Sequence, residues 1–393
     1  MRVGIDATCW ANRRGYGRFT RGLLTALLAS DQSREYIFFV DDHTYASETF
    51  PEQAKCVVVP TTQSPTEAAS ASTRRSFADM WSMTKAVAKA NLDTFLFPSV
   101  YTYFPTFTSA SIILGVHDVI AEDYPDLVFP DKKRRRLWEL KGWLAHKQAD
   151  FILTVSKHAK GGIIRHFKHA PEKIFVIDEA ADPVFRPLIN GDLNNGLLEQ
   201  HGLAQDDRFF VYLGGINPHK NLINLTECFA KIRHAAEYAN LKLAIIGDIN
   251  DGFTPGLNEL RAKISELNLE PYVIFTGYVS DESAVHFLNK AQAVVLPSFA
   301  EGFGLPALEG AACGTPVIAT TNSPLPELLE GGGLFVDPAQ PAQLHDAMLR
   351  ILSQPEERRQ MANTALRRAE ALTWQNSADQ MQSMLSAVQA VRS

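Results

Sequence analysis

The densest group of residues able to do chemistry lies in EGFGLPALEGAACGTPVIA, Glu301 to Ala319. An apolar run, Ala293 to Leu296, and Pro297-Ser298 precede it. The chain therefore leaves a buried parallel strand, turns through Gly302 and Gly304, and starts a helix near Leu305-Pro306. Gly314 ends that helix, and Pro316 to Ala319 reads as the next strand. A strand, glycine loop and helix in this order aim the first-turn N–H groups at the carboxyl edge of the sheet, where their partial positive charge favours a phosphate. A carboxylate cannot hold that phosphate. The partners for Glu301, before the helix, and Glu309, a turn inside it, are hydroxyl groups of a sugar or ribose. The competing reading makes Glu301 a helix-start carboxylate and Glu309 a solvated helix residue.

Two further groups stand at comparable places. GGINPHKN, Gly214 to Asn221, follows an apolar strand and precedes a helix with Leu222, Leu225, Phe229 and Ile232 on one side. Lys220 at that helix's N-terminal edge is electrostatically unfavourable unless an anion is held there; otherwise it is a surface lysine with its charge in water. His117-Asp118 ends the apolar run Ile112 to Val116, at the edge where open α/β sheets place ligands, although a lone histidine is also an ordinary structural residue. Near the N-terminus, Arg13-Arg14-Gly15-Tyr16-Gly17-Arg18 reads as a glycine-bearing turn leading into a helix from Phe19 to Ala29. It serves either a phosphate or tight packing.

The Glu301 to Pro306 core and Glu309, separated from Glu301 by seven residues, resemble the signature of retaining GT-B glycosyltransferases of the group 1 family, the fourth family in the usual classification. The match holds at every position of that mark. The resemblance implies that Glu301 contacts a donor sugar, that the backbone of Phe303, Gly304 and Leu305 meets sugar and diphosphate, and that Glu309 binds ribose hydroxyls. It implies donor binding by Lys220 and Asn221, a diphosphate facing Gly15, Gly17 and Arg18 across a cleft, and His117 near the reacting face of the sugar. The chain departs from the family pattern at Arg14, where a threonine is usual, and at His219, where an arginine is usual. The catalytic residues that the resemblance implies are His117, Lys220 and Glu301, with Lys220, helix N-termini and Arg18 stabilising a departing diphosphate, and with no metal and no cofactor besides the nucleotide-sugar donor. A metal-dependent transferase of the other common fold would carry Asp-x-Asp, which Asp248 and Asp251 do not form.

The expected architecture is α/β: two facing Rossmann-like domains with a deep cleft between them. Strands are expected at Arg2–Asp6, Tyr36–Val40, Cys56–Val59, Thr94–Phe97, Ile112–Val116 and Phe151–Thr154, with helices near Phe77–Ala90, Pro130–Lys147 and Lys157–Phe167. The prolines and asparagines of Ala180 to Asn195 break this pattern, and a second alternation starts at Arg208. The first domain is assigned to 1–185, a linker to 186–207 and the nucleotide-sugar domain to 208–374. A last helix over 375–391 crosses back to the first domain. Thr61 to Arg75, short of large apolar residues, is expected as a loop or a frayed helix start.

Composition narrows the classes. At 393 residues the chain exceeds what one core usually supports. With 46% apolar and 21% charged residues it is neither disordered nor a membrane-embedded protein. A net charge of −6 and the lack of a reader motif argue against nucleic acid. Four scattered cysteines form no metal spacing and read as reduced thiols, which with the absence of a leader-like start gives a cytoplasmic expectation. Lys132-Lys133-Arg134-Arg135-Arg136, followed by Leu137, Trp138, Leu140, Trp143 and Leu144, is either a contact for the anionic inner face of a membrane or the solvated side of a core-packed helix. The functional expectation is transfer of a hexosyl group, with a lean to mannosyl and bacterial polysaccharide assembly, from a GDP- or UDP-linked sugar to a saccharide or lipid-linked saccharide. The alternatives are an inactive homologue serving as a scaffold, and an epimerase or phosphorylase on the same fold.

Overall fold

A computed structural model describes residues 1–64, 76–189, 192–249 and 256–392. The loop expected over Thr61 to Arg75 lies, from residue 65 on, outside the described residues, as does Asp251. Contacts divide the chain into two units. The first comprises Met1–Pro125, Phe129–Glu179 and Thr373–Ser393, and the second Asp126–Val128 and Ala180–Leu372.

In the first unit, seven strands among the described residues form one sheet in the order β3-β2-β1-β4-β5-β6-β7. They are β1 (Arg2–Asp6), β2 (Glu35–Asp41), β3 (Lys55–Val59), β4 (Thr94–Phe97), β5 (Ser111–Gly115), β6 (Phe151–Thr154) and β7 (Ile174–Val176). All pairs are parallel; Val3 sits between Tyr36 on β2 and Thr94 on β4. Side chains of the central strands are buried on both faces, which is why they read as unbroken apolar runs. β7 escapes the sequence reading because it is a three-residue edge strand.

The first helix begins at Gly15, inside the expected turn, and runs to Ser30. Its stripe of Phe19, Leu23, Leu24, Leu27 and Leu28 is buried. Against it packs the C-terminal helix Trp374–Arg392, which buries Ala378, Met381, Met384, Leu385 and Val388. Each large side chain among these contributes roughly 1.5–3 kcal/mol. A Cβ on Gly22 would lie 2.3 Å from the Trp374 ring, so the helices meet there through a glycine. Residues 375–391, expected to return to the first domain, are part of this unit.

The second unit holds six parallel strands among the described residues, ordered β10-β9-β8-β11-β12-β13. These are β8 (Phe209–Leu213), β9 (Lys242–Ile246), β10 (Val273–Gly277), β11 (Val294–Leu296), β12 (Val317–Thr320) and β13 (Gly333–Val336). Residues 186–207, expected as a linker, differ from that expectation. They hold the short helix Asn195–Gln200, and Leu198 and Leu203 are buried in the core of this unit with Phe185. Among the described residues no helix is long and apolar enough to cross a membrane.

In each sheet the strand order reverses once, between β1 and β4 in the first unit and between β8 and β11 in the second. At such a switch point the connections leave toward opposite faces, and the crevice outside the strand carboxyl ends is where open α/β sheets take ligands.

Candidate functional site

The second unit's switch point brings together residues that the sequence keeps 81 positions apart. β8 leads into a short 3-10 turn, Pro218–Lys220, and then Asn221 in the left-handed conformation, from which the helix Leu222–Arg233 starts. β11 leads into Pro297, Ser298 and the Glu301 loop. Lys220 Nζ lies 2.7 Å from Glu301 Oε1, with both side chains largely buried. Ser298 Oγ donates to the same carboxylate oxygen at 2.5 Å. The anion that a lysine at this helix edge calls for is thus supplied by the protein's own Glu301.

The loop is tied down on both sides. Phe299 N donates to His219 O at 2.9 Å, Glu301 N to Asn322 O at 3.0 Å, and Asn322 Nδ2 to Phe299 O at 3.0 Å. The side-chain amide of Asn221 donates to Pro297 O at 3.1 Å and Pro338 O at 3.4 Å, so it ties these loops together. His219 cannot replace the usual arginine as a cation. Burial, with the Lys220 charge beside it, pushes its pKa down to about 3.

Gly304, at φ +97°, is the residue from which the helix Leu305–Ala312 departs. A Cβ there would lie 2.7 Å from Leu325 Cδ1, so both conformation and space select glycine. Phe303 and Leu305 are buried on either side. Pro306 occupies the first turn, where its missing N–H costs nothing. Glu309 is in the helix as expected, but it is buried at 1% exposure rather than solvated, which removes the solvated-residue reading. The helix lies close on β11, where a Cβ on Gly310 would meet Val294 Cγ2 at 2.2 Å.

In the first unit, His117 follows β5. Its Nε2 is 2.8 Å from Pro98 O and its Nδ1 is 3.6 Å from Glu179 Oε1, while the Phe19 ring meets it edge-on at 4.8 Å. Burial acts to lower the imidazole pKa, but the Glu179 carboxylate and the Pro98 carbonyl outweigh it and the pKa is raised. Both ring nitrogens face protein acceptors, an arrangement that favours the protonated ring. Gly15 and Gly17 fall in the first helical turn. A Cβ on Gly17 would lie 1.9 Å from Asn12 O, and Arg14 N donates to Asn12 Oδ1 at 2.8 Å, so tight packing is one use of this motif. Arg18 is on the same turn, half-buried.

Ser298 and Glu179 were not singled out from the sequence. Each is a polar residue just beyond a strand end, a signal that could have found them. The basic segment forms the helix Lys132–Gln148, with Asp131 accepting from Lys133 N and Arg134 N at its start. Leu137, Leu140, Trp143 and Leu144 of this helix are exposed, as are Lys132 to Arg136, and it packs on the core through Ala145, fully buried, and Trp138, half-buried.

Residues 196–368 match the model of the family described as Glycosyl transferases group 1. The chain is 26% identical over 260 residues to O-antigen chain mannosyltransferase B of Escherichia coli, covering 66% of each. It spans between about half and two thirds of the length of the curated relatives it matches. Among solved structures it is similar to sucrose-phosphate synthase of Thermosynechococcus elongatus, with a TM-score of 0.76, 19% identity and 100% of both chains covered. It is also similar to the Anabaena HepE protein in complex with UDP and glucose, with a TM-score of 0.74, 16% identity and 98% and 99% covered. The match to the glycosyl transferases group 1 model thus lies over residues 196–368, and the two parallel-sheet Rossmann-like units have the GT-B fold of these solved structures.

Proposed function

We propose that the protein transfers a hexosyl group, by preference mannosyl, from a nucleoside-diphosphate sugar to a saccharide or lipid-linked saccharide, with retention at the anomeric carbon and without a metal. The observation that carries this reading is the Lys220–Glu301 contact at the switch point, beside a helix start formed at Gly304 and a buried Glu309 one turn in. Glu309 accepts ribose hydroxyls. Lys220 turns from Glu301 to the diphosphate, and the released Glu301 accepts a hydroxyl of the donor sugar. In the transfer, the bond from the anomeric carbon to the diphosphate oxygen breaks with its electron pair going to the phosphate. The acceptor oxygen bonds to the same face, and its proton passes to the departing phosphate oxygen. The mannosyl preference draws on the Escherichia coli relative, and a diphosphate nucleotide on the UDP of the Anabaena complex.

Incubation with GDP- and UDP-linked hexoses, followed by proton NMR with and without EDTA, tests this. Release of nucleoside diphosphate with an α-configured sugar from an α-configured donor, unaffected by EDTA, is expected; a β-configured product or loss of turnover in EDTA refutes retention or metal independence.

A cytoplasmic protein held at the inner face of the membrane is the companion reading, favoured by the exposed Leu137, Leu140, Trp143 and Leu144 next to Lys132–Arg136. The apolar side chains suit the bilayer interface and each cation there adds about 1 kcal/mol on an anionic surface. Co-sedimentation with phosphatidylglycerol vesicles is expected at low salt and lost at high salt; protein that stays in the supernatant at low salt rejects it.

A further inference from the structure

The amino edge of the second unit's sheet, opposite the strand ends that lead to Lys220 and Glu301, brings two arginines together without an acid between them. Arg208 stands just before β8 and Gln292 just before β11, and Gln292 N donates to Phe209 O at 2.8 Å, so the two strand starts adjoin. Facing them is the turn between the helices Pro341–Ser353 and Pro355–Glu370. Arg208 Nη2 reaches over to Leu352 O at 3.2 Å. Arg358, whose N donates to Gln354 O at 3.0 Å, reaches back, its Nη1 donating to Gln292 Oε1. The Arg208 guanidinium also lies 5.7 Å from the Tyr238 ring centroid.

Two half-buried cations thus bridge one gap from opposite sides. Burial, and then the charges of Arg208 and Arg359, lower the Arg358 pKa, so the two guanidinium groups are near enough to repel. Such a pair is unfavourable unless a negative group sits beside it. Asp207, Glu356 and Glu357, which flank the arginines in sequence, are turned to other cations: Asp207 to Lys242 at 2.6 Å, Glu356 to Arg359 at 2.6 Å, and Glu357 to Arg350. Among the described residues neither Arg208 nor Arg358 forms an ion pair; each gives its hydrogen bond to a neutral acceptor. Each keeps further N–H groups of its planar fork, the geometry that takes a phosphate through two parallel bonds.

We infer that Arg208 and Arg358 form a binding site for a phosphate-class oxyanion, inorganic phosphate or a phosphate monoester, at the amino edge of the second unit. A bound anion ties the starts of β8 and β11 to the two helices, and the site does not depend on the reading of the donor site. Thermal unfolding of the whole chain in sodium phosphate or in glycerol phosphate, each against sodium chloride at the same ionic strength and pH, tests it. Wild type is expected to melt at least about 2 °C higher in one or both oxyanions once the anion is several-fold above its Kd. The larger response names the form that the site takes. Arg208→Gln and Arg358→Gln should lose this difference between salts, whereas a purely structural arginine would lower the melting point equally in both. Lys220→Ala should keep the difference, since phosphate held at the donor site would need that lysine. Phosphorus NMR line broadening of the anion by Arg358→Lys, which keeps the charge but not the fork, covers the case in which Arg358→Gln does not fold; broadening several-fold weaker than with wild type is expected. No oxyanion-specific shift in wild type, a wild-type shift in the folded glutamine variants, undiminished broadening by Arg358→Lys, or a shift abolished by Lys220→Ala overturns the site.

Discussion

Replacing Lys220 by alanine tests whether the lysine is both the partner of Glu301 and the cation for a leaving diphosphate. In the unliganded protein the change leaves a carboxylate with 9% side-chain exposure facing only Ser298 Oγ, where a cation had stood 2.7 Å away. Losing one member of a fully buried pair costs about 3–5 kcal/mol. With Lys220 at 17% exposure and the serine hydrogen bond retained, a cost of about 1–3 kcal/mol is expected. Each kcal/mol lowers Tm by about 2–4 °C for a domain of this size. Much of this is the penalty of the stranded charge, so Lys220→Ala with Glu301→Gln should recover most of the stability, a coupling that a double-mutant cycle reads directly. Turnover behaves differently. Donor hydrolysis should fall on the order of 10²-fold in Lys220→Ala and stay low in the double variant, because the cation is absent in both. Thermal unfolding and nucleotide-sugar hydrolysis are measured on all four proteins of the cycle. Additive losses of stability would refute the ion pair; hydrolysis within a few-fold of wild type in the single variant would remove the lysine from the mechanism.

Three further outcomes follow from named contacts. The raised pKa of His117 means that the stability its pairing with Glu179 contributes is fully present below the unfolded histidine pKa of about 6.5 and is lost as pH rises through the folded value. Urea unfolding as a function of pH should show this decline in wild type and not in Glu179→Gln; identical profiles would reject the pairing. Gly304→Ala should cost about 1–2 kcal/mol for the left-handed backbone alone, with more from the Leu325 contact, read as a fall in the urea midpoint. An unchanged midpoint would show that the turn relaxes freely. Changing Arg134, Arg135 and Arg136 together to serine should abolish low-salt vesicle binding without altering nucleotide affinity, and persistent binding would place the contact elsewhere.

The strands were legible because parallel strands buried on both faces are unbroken runs of Val, Ile, Leu and Phe. The turn before Leu305 was legible because glycine and proline mark backbone conformations directly. What escaped depends on contacts between distant residues or on faces that local sequence does not specify. Nothing near His117 announces Glu179, 62 residues on, and nothing near Lys220 announces that Glu301 neutralises it. The start of the first helix moved to Gly15 because Asn12 ties down Arg14 N and admits a bare glycine at 17, a local pattern that resembles a loop until the packing is seen. β13 is hard to read from sequence because it opens on Gly331-Gly332-Gly333, although Gly333 lies so close to β12 that a Cβ would lie 2.4 Å from Val317 O. The helix Lys132–Gln148 had two readings from its sequence, because local spacing does not say which of its apolar side chains are covered: Ala145 and Trp138 pack on the core and the leucines are left outside.

The central claim is that the second unit's switch point holds a nucleoside diphosphate by its ribose through Glu309. Calorimetric titration of GDP and of UDP into wild type and Glu309→Ala tests it most directly. One of the two nucleotides is expected to bind wild type and to lose at least about tenfold in affinity in the variant, the effect of leaving two ribose hydroxyls without their charged acceptor. Binding of neither nucleotide, or equal affinity in a folded Glu309→Ala, would contradict the account.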